Sequence, residues 1–389
     1  MQLSIIILNY NVRYFLEACV LSVQKAIENL ESEIIVIDNN SSDDSCMMMK
    51  TRFSGIKLIE NDKNEGFPKG NNKAIKEAKG EYVCILNPDT LVAEDTFTKI
   101  FEFIDKNKNG SDTGIIGCKL IDGTGQFLPE SKRGVPTPWV AFTKVFGLYK
   151  IFPKSPLFST YYAQHLSENQ TGSVPILVGA FMVVKRQLYN QIGGFDENCF
   201  MYSDDIDLSY TAIKANKTNM YFHQTTVIHY KGESTVKDGM YMRRFQNAMN
   251  FFYKKHFQTS LFFSVFMKIG AFIFSVTKML PSYGKLDATP EQYILLSDNG
   301  NLKTTLENKL QKNILMCPIK NGKVVLSQSI SDTLKKEYII DLNCITFKEA
   351  IAFFENNKNK NTTFKIRPPD SNFLIGSNSK ESRGQVVLF

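Results

Sequence analysis

The sequence predicts an α/β fold, a mostly parallel, doubly wound sheet with helices on both faces, on three observations. Apolar runs of strand length stand at Ser4–Leu8, Glu33–Ile37, Ile56–Ile59 and Glu81–Leu86. Helical stretches separate them, around Tyr14–Asn29, Asp43–Phe53 and Lys69–Lys79. Polar residues gather where three of the runs end: Asn9 and Tyr10, Asp38 to Ser42, and Asn87 to Thr90. Sheets of this kind bind ligands beyond the carboxyl ends of their strands, so these three clusters predict one site.

The remaining elements follow in order. Runs such as SIIIL are apolar throughout rather than alternating, as strands covered on both faces require. Residues 120–175 carry Pro129, Pro136, Pro138, Pro153, Pro156 and Pro175 among aromatics, which predicts loops bordering the site. Regular structure resumes with a strand at Ile176–Val184, a helix near Asp204–Ala215, strands at Met220–Phe222 and Thr226–Tyr230, and a helix near Met240–His256. That helix closes a first domain, residues 1–256.

Residues 257–282 hold the most apolar stretch, TSLFFSVFMKIGAFIFSVTKML. A central Lys268 offsets much of its insertion energy. Ser260, Ser264, Lys268, Ser275 and Lys278 form one helical stripe beside a broad apolar arc. The pattern predicts an amphipathic helix on a membrane surface, its lysines reaching up to phosphates. Residues 283–389 predict a small accessory α/β unit, with strands at Lys323–Leu326, Tyr338–Ile340, Thr363–Ile366 and Val386–Leu388 and a helix near Phe347–Asn356. No catalytic constellation stands out there.

Of the 389 residues, 43% are hydrophobic and 22% charged, which supports a sizeable core and excludes wholesale disorder. The net charge of +7 is spread along the chain. No basic stripe interleaved with aromatics accompanies it, which argues against nucleic acid and leaves anionic membranes or phosphate ligands. Seven scattered cysteines without C-x-x-C spacing point to a reducing, cytoplasmic compartment. The first residues, MQLSIIILNYN, read as a buried strand rather than a signal peptide.

Chemistry-bearing residues fall in four places. Asp89 ends a buried strand (EYVCILNPDT), where an acid can hold a divalent cation; its plainer use is a turn. Asp204, Asp205 and Asp207 crowd a helix start after Gly193 and Gly194. Capping accounts for one or two of these acids, and a general base would account for another. His229 lies at the end of an apolar run, a position that suits a metal ligand or a simple hydrogen-bonded histidine. Gly66, Phe67, Lys69, Gly70, Asn71 and Asn72 form a helix-opening turn whose amides and lysine suit an anion, although it is neither a Walker loop nor a G-x-G-x-x-G turn.

Taken in order, the strings SIIILNYN, IIVIDNNSSDDS, NEGFPKGNN, ILNPDT, LVGAFMVVKR, GGFDENCFMYSDDIDLSY and VIHYKGES resemble the inverting family 2 glycosyltransferases of the GT-A fold, especially the rhamnosyltransferase-like bacterial branch. The resemblance covers residues 4 to about 234. It implies transfer of a sugar from dTDP-rhamnose or a UDP-hexose to a glycan or lipid-linked acceptor in cell-surface polysaccharide synthesis. The implied setting is cytoplasmic, on the inner face of the plasma membrane. The implied donor-binding residues are Asn9, Tyr10, Asp38, Asn40, Ser41, Gly66, Phe67, Lys69, Asn71, Asn87 and Asp89. Asp89 and His229 would hold Mn²⁺ or Mg²⁺. Asp205 would be the catalytic base with Asp204 beside it, and Arg133, Gly179 and Asp207 would face the acceptor. Two positions depart from the pattern: Asn87 stands at the first acid of the D-x-D-type motif, and Asp204 where the family usually has Glu. A nucleotidyltransferase is the first alternative, but NYNVRYFLE is no basic, Gly-rich triphosphate loop. The second is an inactive binding protein of the same fold, against which Asp89, Asp205 and His229 argue.

Overall fold

A computed structural model describes residues 1–107, 112–137, 139–140, 143, 148–152, 155, 157, 160–231, 239–257, 289–320, 323–324, 330–331, 333–377 and 384–389. The helix expected at 259–280 lies outside the described residues, among which no helix is long and apolar enough to cross a membrane.

The chain opens with β1 (Leu3–Asn9), α1 (Arg13–Ala26), β2 (Ser32–Asp38), α2 (Ser45–Arg52), β3 (Lys57–Glu60), α3 (Phe67–Lys76) and β4 (Tyr82–Leu86). β1 pairs in parallel with β2 and β4, and β2 with β3, so the carboxyl ends of all four share one edge. Every residue of β1 is buried, as its unbroken apolar run requires. Next come β5 (Thr90–Leu91), α4 (Thr96–Lys106), β6 (Thr113–Ile121), β7 (Lys132–Arg133), β8 (Gly172–Ser173), β9 (Ile176–Leu177) and β10 (Phe181–Lys185). α5 (Arg186–Gln191), α6 (Asp204–Lys214), β11 (Thr218–His229) and α7 (Gly239–His256) complete this part. Among the described residues the main sheet runs β3-β2-β1-β4-β10-β6-β11-β5, with β8 beside β11.

Three expectations change here. The strand expected over Ile176–Val184 is two: β9 pairs with β7, while β10 enters the main sheet antiparallel to β4 and β6. The break falls at Gly179 and Ala180, which turn to the site. Met220–Phe222 and Thr226–Tyr230 belong to one strand, β11, whose register against β6 shifts between Phe222 and Thr226. The stretch from residue 120 is not all loop, since β6 runs to Ile121 in the sheet's interior.

The C-terminal part has its own sheet, built from β12 (Gln292–Leu296), α8 (Gly300–Leu310), β13 (Ile314–Cys317), the short pair β14 (Ile319–Lys320) and β15 (Lys323–Val324), β16 (Lys336–Asp341), α9 (Phe347–Asn357), β17 (Thr362–Arg367), β18 (Phe373–Ser377) and β19 (Gln385–Leu388). Its order is β13-β12-β16-β17-β18-β19, parallel except at the last two strands. This sheet does not stand apart. Val12, Phe15, Leu91, Ile121, Ile228 and Tyr230 share one apolar core with Ile294, Tyr338, Ile340, Phe354 and Phe373. Glu94 reaches across to accept from the backbone N–H of both Phe347 and Lys348, 2.8 Å each, so a carboxylate of the first part caps α9 of the second.

Candidate active site

The first cluster forms where β1 and β2 stop. Asn9 Nδ2 donates to Asp38 Oδ1 at 2.7 Å and to Ser41 Oγ at 3.0 Å, and Asp38 accepts from the Ser41 backbone and hydroxyl at 2.7 and 2.6 Å. Asn11 and Asn40 take left-handed backbone, φ 56° and 64°, which short polar side chains tolerate best. Together these bonds hold two crossing loops rigid around buried Asn9 and Asp38. Tyr10 and Ser41 are half-buried and Asn40 is exposed at the rim.

A second loop closes beside the first. Asn39 Nδ2 donates to the Gly66 carbonyl at 3.1 Å, and its Oδ1 accepts from Asn61 at 2.8 Å. Gly66 has φ +84°, and a Cβ there would lie 2.8 Å from both the ring and the carbonyl of Phe200, so only glycine fits. The Phe67 N–H donates to that same carbonyl at 3.0 Å. Asn61 and Phe200 went unnoticed in the sequence, where an asparagine in a loop reads as a turn residue. Lys69 is exposed on the first turn of α3, and Asn71 is fully buried. Two acceptors in this region, Asn9 Oδ1 and Asn71 Oδ1, are buried and accept no hydrogen bond. Burying a polar atom unpaired costs about 1–3 kcal/mol, a cost that a ligand N–H or O–H would relieve.

The pairing of β5 with β11 brings together Asp89 and His229, 140 positions apart in the chain. His229 stands opposite Thr90 in that ladder, and the Tyr230 N–H donates to the Asp89 carbonyl at 2.9 Å. His229 Nε2 lies 3.4 Å from Asp89 Oδ1 and 3.3 Å from Asn87 Nδ2. Both Asp89 and His229 are buried. Among the described residues no cluster of three or more His, Cys, Asp or Glu side chains surrounds them. One carboxylate oxygen and one imidazole nitrogen make a donor set that fits a divalent cation sharing its remaining positions with phosphate oxygens.

The acids open α6. Asp204 and Asp205 are both buried, 7% and 8% exposed. Asp205 Oδ2 receives Arg133 Nη2 at 2.5 Å and the Gly179 N–H at 3.0 Å, while Arg133 also donates to the Leu177 carbonyl at 3.1 Å. Burial, and next the charge of Asp205, push Asp204 up to about 7; its own N–H, that of Tyr202, and Arg133 oppose the rise. The pair thus separates in character: one carboxylate faces an arginine, and the other holds a proton toward neutrality. Tyr202, two residues earlier, has φ 80°, a strained conformation for an aromatic residue, costing about 1–3 kcal/mol.

Because the folded chain keeps the Asp204 proton to higher pH than the unfolded chain, this group destabilises the protein as pH rises from the ordinary carboxylate value through about 7. Asp204→Asn should remove that slope. The variant is expected to melt about 2–8 °C higher than the parent above neutral pH, and no higher in acid. Parallel melting curves at every pH would refute the assignment.

Gly179 and Ala180 join the two halves. While the Gly179 N–H holds Asp205, the Ala180 carbonyl accepts from the Asn87 N–H at 3.0 Å. A Cβ on Gly179 would lie 3.3 Å from the Asp205 Cβ and 3.8 Å from the Phe67 ring. A single dipeptide step therefore brings the acids, the Gly66–Phe67 loop and the Asn87–Asp89 turn together. Asp207 is directed elsewhere: its oxygens meet His256 Nε2 at 2.6 Å and Lys255 Nζ at 2.8 Å, on the last turn of α7. Both of its oxygens are engaged there, so the acceptor contact expected of Asp207 is not what this arrangement provides.

Known proteins resemble the first part of the chain. Residues 4–193 match the family described as Glycosyl transferase family 2. The chain is 26% identical over 247 residues to an N-acetylglucosaminyl-diphospho-decaprenol L-rhamnosyltransferase of Mycobacterium tuberculosis, covering 61% of this chain and 78% of that protein. It is 27% identical to the low-salt glycan biosynthesis hexosyltransferase Agl10 of Haloferax volcanii, over 55% of this chain and 62% of the relative. A solved mannosyltransferase from Pyrobaculum calidifontis, in complex with GDP-Man and Mn²⁺, overlaps 64% of this chain and 61% of its own at 18% identity and a TM-score of 0.43. By its matched residues, the first part of the chain is similar to glycosyl transferase family 2, and the chain is similar to a rhamnosyltransferase.

Proposed function

We propose that the protein is a metal-dependent, inverting glycosyltransferase that moves a sugar, rhamnose or a hexose, from a nucleoside diphosphate to a hydroxyl of a lipid-linked saccharide at a membrane surface. The observation that carries this reading is the single step from Gly179 to Ala180, which sets a buried carboxylate pair opposite the Asn87–Asp89–His229 cluster. The Mycobacterium relative, whose name gives a diphospho-decaprenol acceptor, supports the choice of acceptor class.

In this reading the nucleoside lies against Asn9, Tyr10 and Asp38. Asp89 and His229 would hold Mn²⁺ or Mg²⁺, which when bound supplies positive charge against the diphosphate. Both contacts of Asp205 fall on Oδ2, which leaves Oδ1 to take the acceptor's proton. An alcohol attacks poorly while protonated, and general-base help of this kind is worth about 10²- to 10⁴-fold. One displacement at the anomeric carbon, with the hydroxyl on the Asp205 side and the diphosphate on the Asp89 side, inverts the configuration. Arg133 supplies the charge that keeps the acid pair tolerable in a buried place.

The test is a thermal-shift and calorimetric screen of nucleotide sugars with and without Mn²⁺. A true donor raises the melting temperature by mass action. Asp89→Ala should weaken donor binding in Mn²⁺ by about 10- to 100-fold, the worth of a charged contact, and abolish the difference between metal and EDTA. Metal enhancement that survives Asp89→Ala would remove Asp89 from the site.

A further inference from the structure

We propose that the turn Pro368–Ser371 of the C-terminal part is a positioning element for the loops around Asn9 and Asp38, acting on them through Arg52, Glu17 and Arg13. The turn is itself held firmly. Arg367 Nε donates to the Ser371 carbonyl at 2.9 Å, and Ser371 Oγ to the Pro368 carbonyl at 2.7 Å. Asp370 takes left-handed backbone, φ 50°, and its N–H donates to Asn343 Oδ1 at 3.2 Å. The carbonyls of Pro369 and Asp370 both accept from Arg52 Nη2, at 2.7 and 3.2 Å. Arg52 is the last residue of α2, so a helix of the first part is tied to a turn of the second.

The tie continues inward. Arg52 Nη1 pairs with Glu17 of α1, a carboxylate only 1% exposed, and Arg13 Nη1 lies 3.1 Å from the second oxygen of Glu17. Arg13 is the first residue of α1 and reaches three ways. Its N–H donates to Asp43 Oδ2 at 3.0 Å, its Nε lies 3.3 Å from Asp44 Oδ2, and its guanidinium sits 4.2 Å over the Tyr14 ring. Tyr14 in turn meets Phe373 of β18 edge to face, with centroids 4.9 Å apart. Asp43 and Asp44 end the loop that follows β2. Asn11, in the loop that follows β1, is laced to it: its N–H donates to Ser41 Oγ at 2.9 Å, and its Oδ1 accepts from the Ser42 N–H at 2.7 Å. The C-terminal part thus holds both loops at the points where they turn into α1 and α2.

Stability alone does not account for this arrangement. A carboxylate buried between two arginines is a weak source of it, because desolvation offsets the attraction and apolar residues would serve as well. What the guanidinium fork supplies is direction. The rest of the shared core here is apolar, as with Val12, Phe15 and Phe373, and such contacts are non-directional. The inference rests on the transferase reading only for what the loops receive, a nucleoside diphosphate, and not for the link itself.

Two variants of the full chain, Arg52→Gln and Ser371→Ala, test it by amide hydrogen exchange without ligand and by titration with UDP, dTDP and GDP in Mn²⁺. Arg52→Gln should speed exchange at Asn11, Arg13, Ser41 and Ser42 about tenfold relative to the amides of β4 and β10. The nucleotide that binds the parent should bind this variant about tenfold more weakly. Ser371→Ala, which removes the bond to the Pro368 carbonyl, should speed the same four amides about threefold and add nothing once Arg52 is Gln. Should Arg52→Gln not fold, Ser371→Ala alone decides. Exchange that rises equally throughout the chain would overturn the proposal, because Arg52 would then support the fold and not these loops. Unchanged loop amides in either variant would also overturn it, as would faster loops with the parent's nucleotide affinity, or a Ser371→Ala effect that persists in full beside Arg52→Gln. Faster exchange at these four amides in a chain that binds none of the three nucleotides upholds the link and refutes the nucleotide reading of the loops.

Discussion

Asp205→Asn is expected to lower kcat by about 10²- to 10⁴-fold while nucleotide-sugar affinity stays within a factor of about three. The amide has the shape of the carboxylate and still accepts the Gly179 N–H, so the cleft keeps its form. What it loses is the lone pair that can hold a proton. Asp204 is not expected to replace it, because its carboxyl is buried and kept protonated toward neutrality. Single-turnover transfer measured at saturating donor separates the two contributions. Turnover within a few-fold of the parent would show that another group takes the proton.

Arg133→Met should produce the largest loss of stability, about 3–5 kcal/mol by denaturant unfolding. The side chain keeps its volume, but the buried guanidinium that faces Asp205 and accompanies Glu130 disappears. Removing one member of a buried pair leaves the other charge uncompensated, which costs more than the pair itself contributed. A kinetic signature should accompany the stability loss. Arg133 is among the groups that hold Asp204 down, so without it Asp204 keeps its proton to higher pH. The acid limb of kcat/KM should then move toward alkaline pH. A midpoint and a pH profile that both superimpose on the parent's would deny Arg133 any part in either.

The first sheet was legible because burial on two faces leaves a simple trace: four short apolar runs, three of them ending in polar clusters. The approach of Asp89 to His229 was not legible from spacing alone, since it depends on a two-residue bridge between β5 and β11. Asp207 shows the opposite limit. It sits two residues after Asp205, yet the end of α7 arrives to claim it, and nothing local announces which helix will pack there. The positive φ of Tyr202 is equally silent, because an aromatic residue gives no cue for left-handed backbone. In the C-terminal part, β12, β13 and β18 were missed for want of contrast. QYILL, ILMC and FLIGS are short and do not alternate, and α8 shows only Leu302, Leu306 and Leu310 as its apolar face.

The seam between Gly66 and Phe200 has a kinetic meaning. The turn proposed to receive the nucleotide is stitched, backbone to backbone, onto the strand of chain that leads into the acids. Neither wall can shift without pulling its neighbour. Occupancy by the first substrate therefore shapes the berth for the second, and the two should enter in a fixed order, nucleotide sugar ahead of the incoming alcohol.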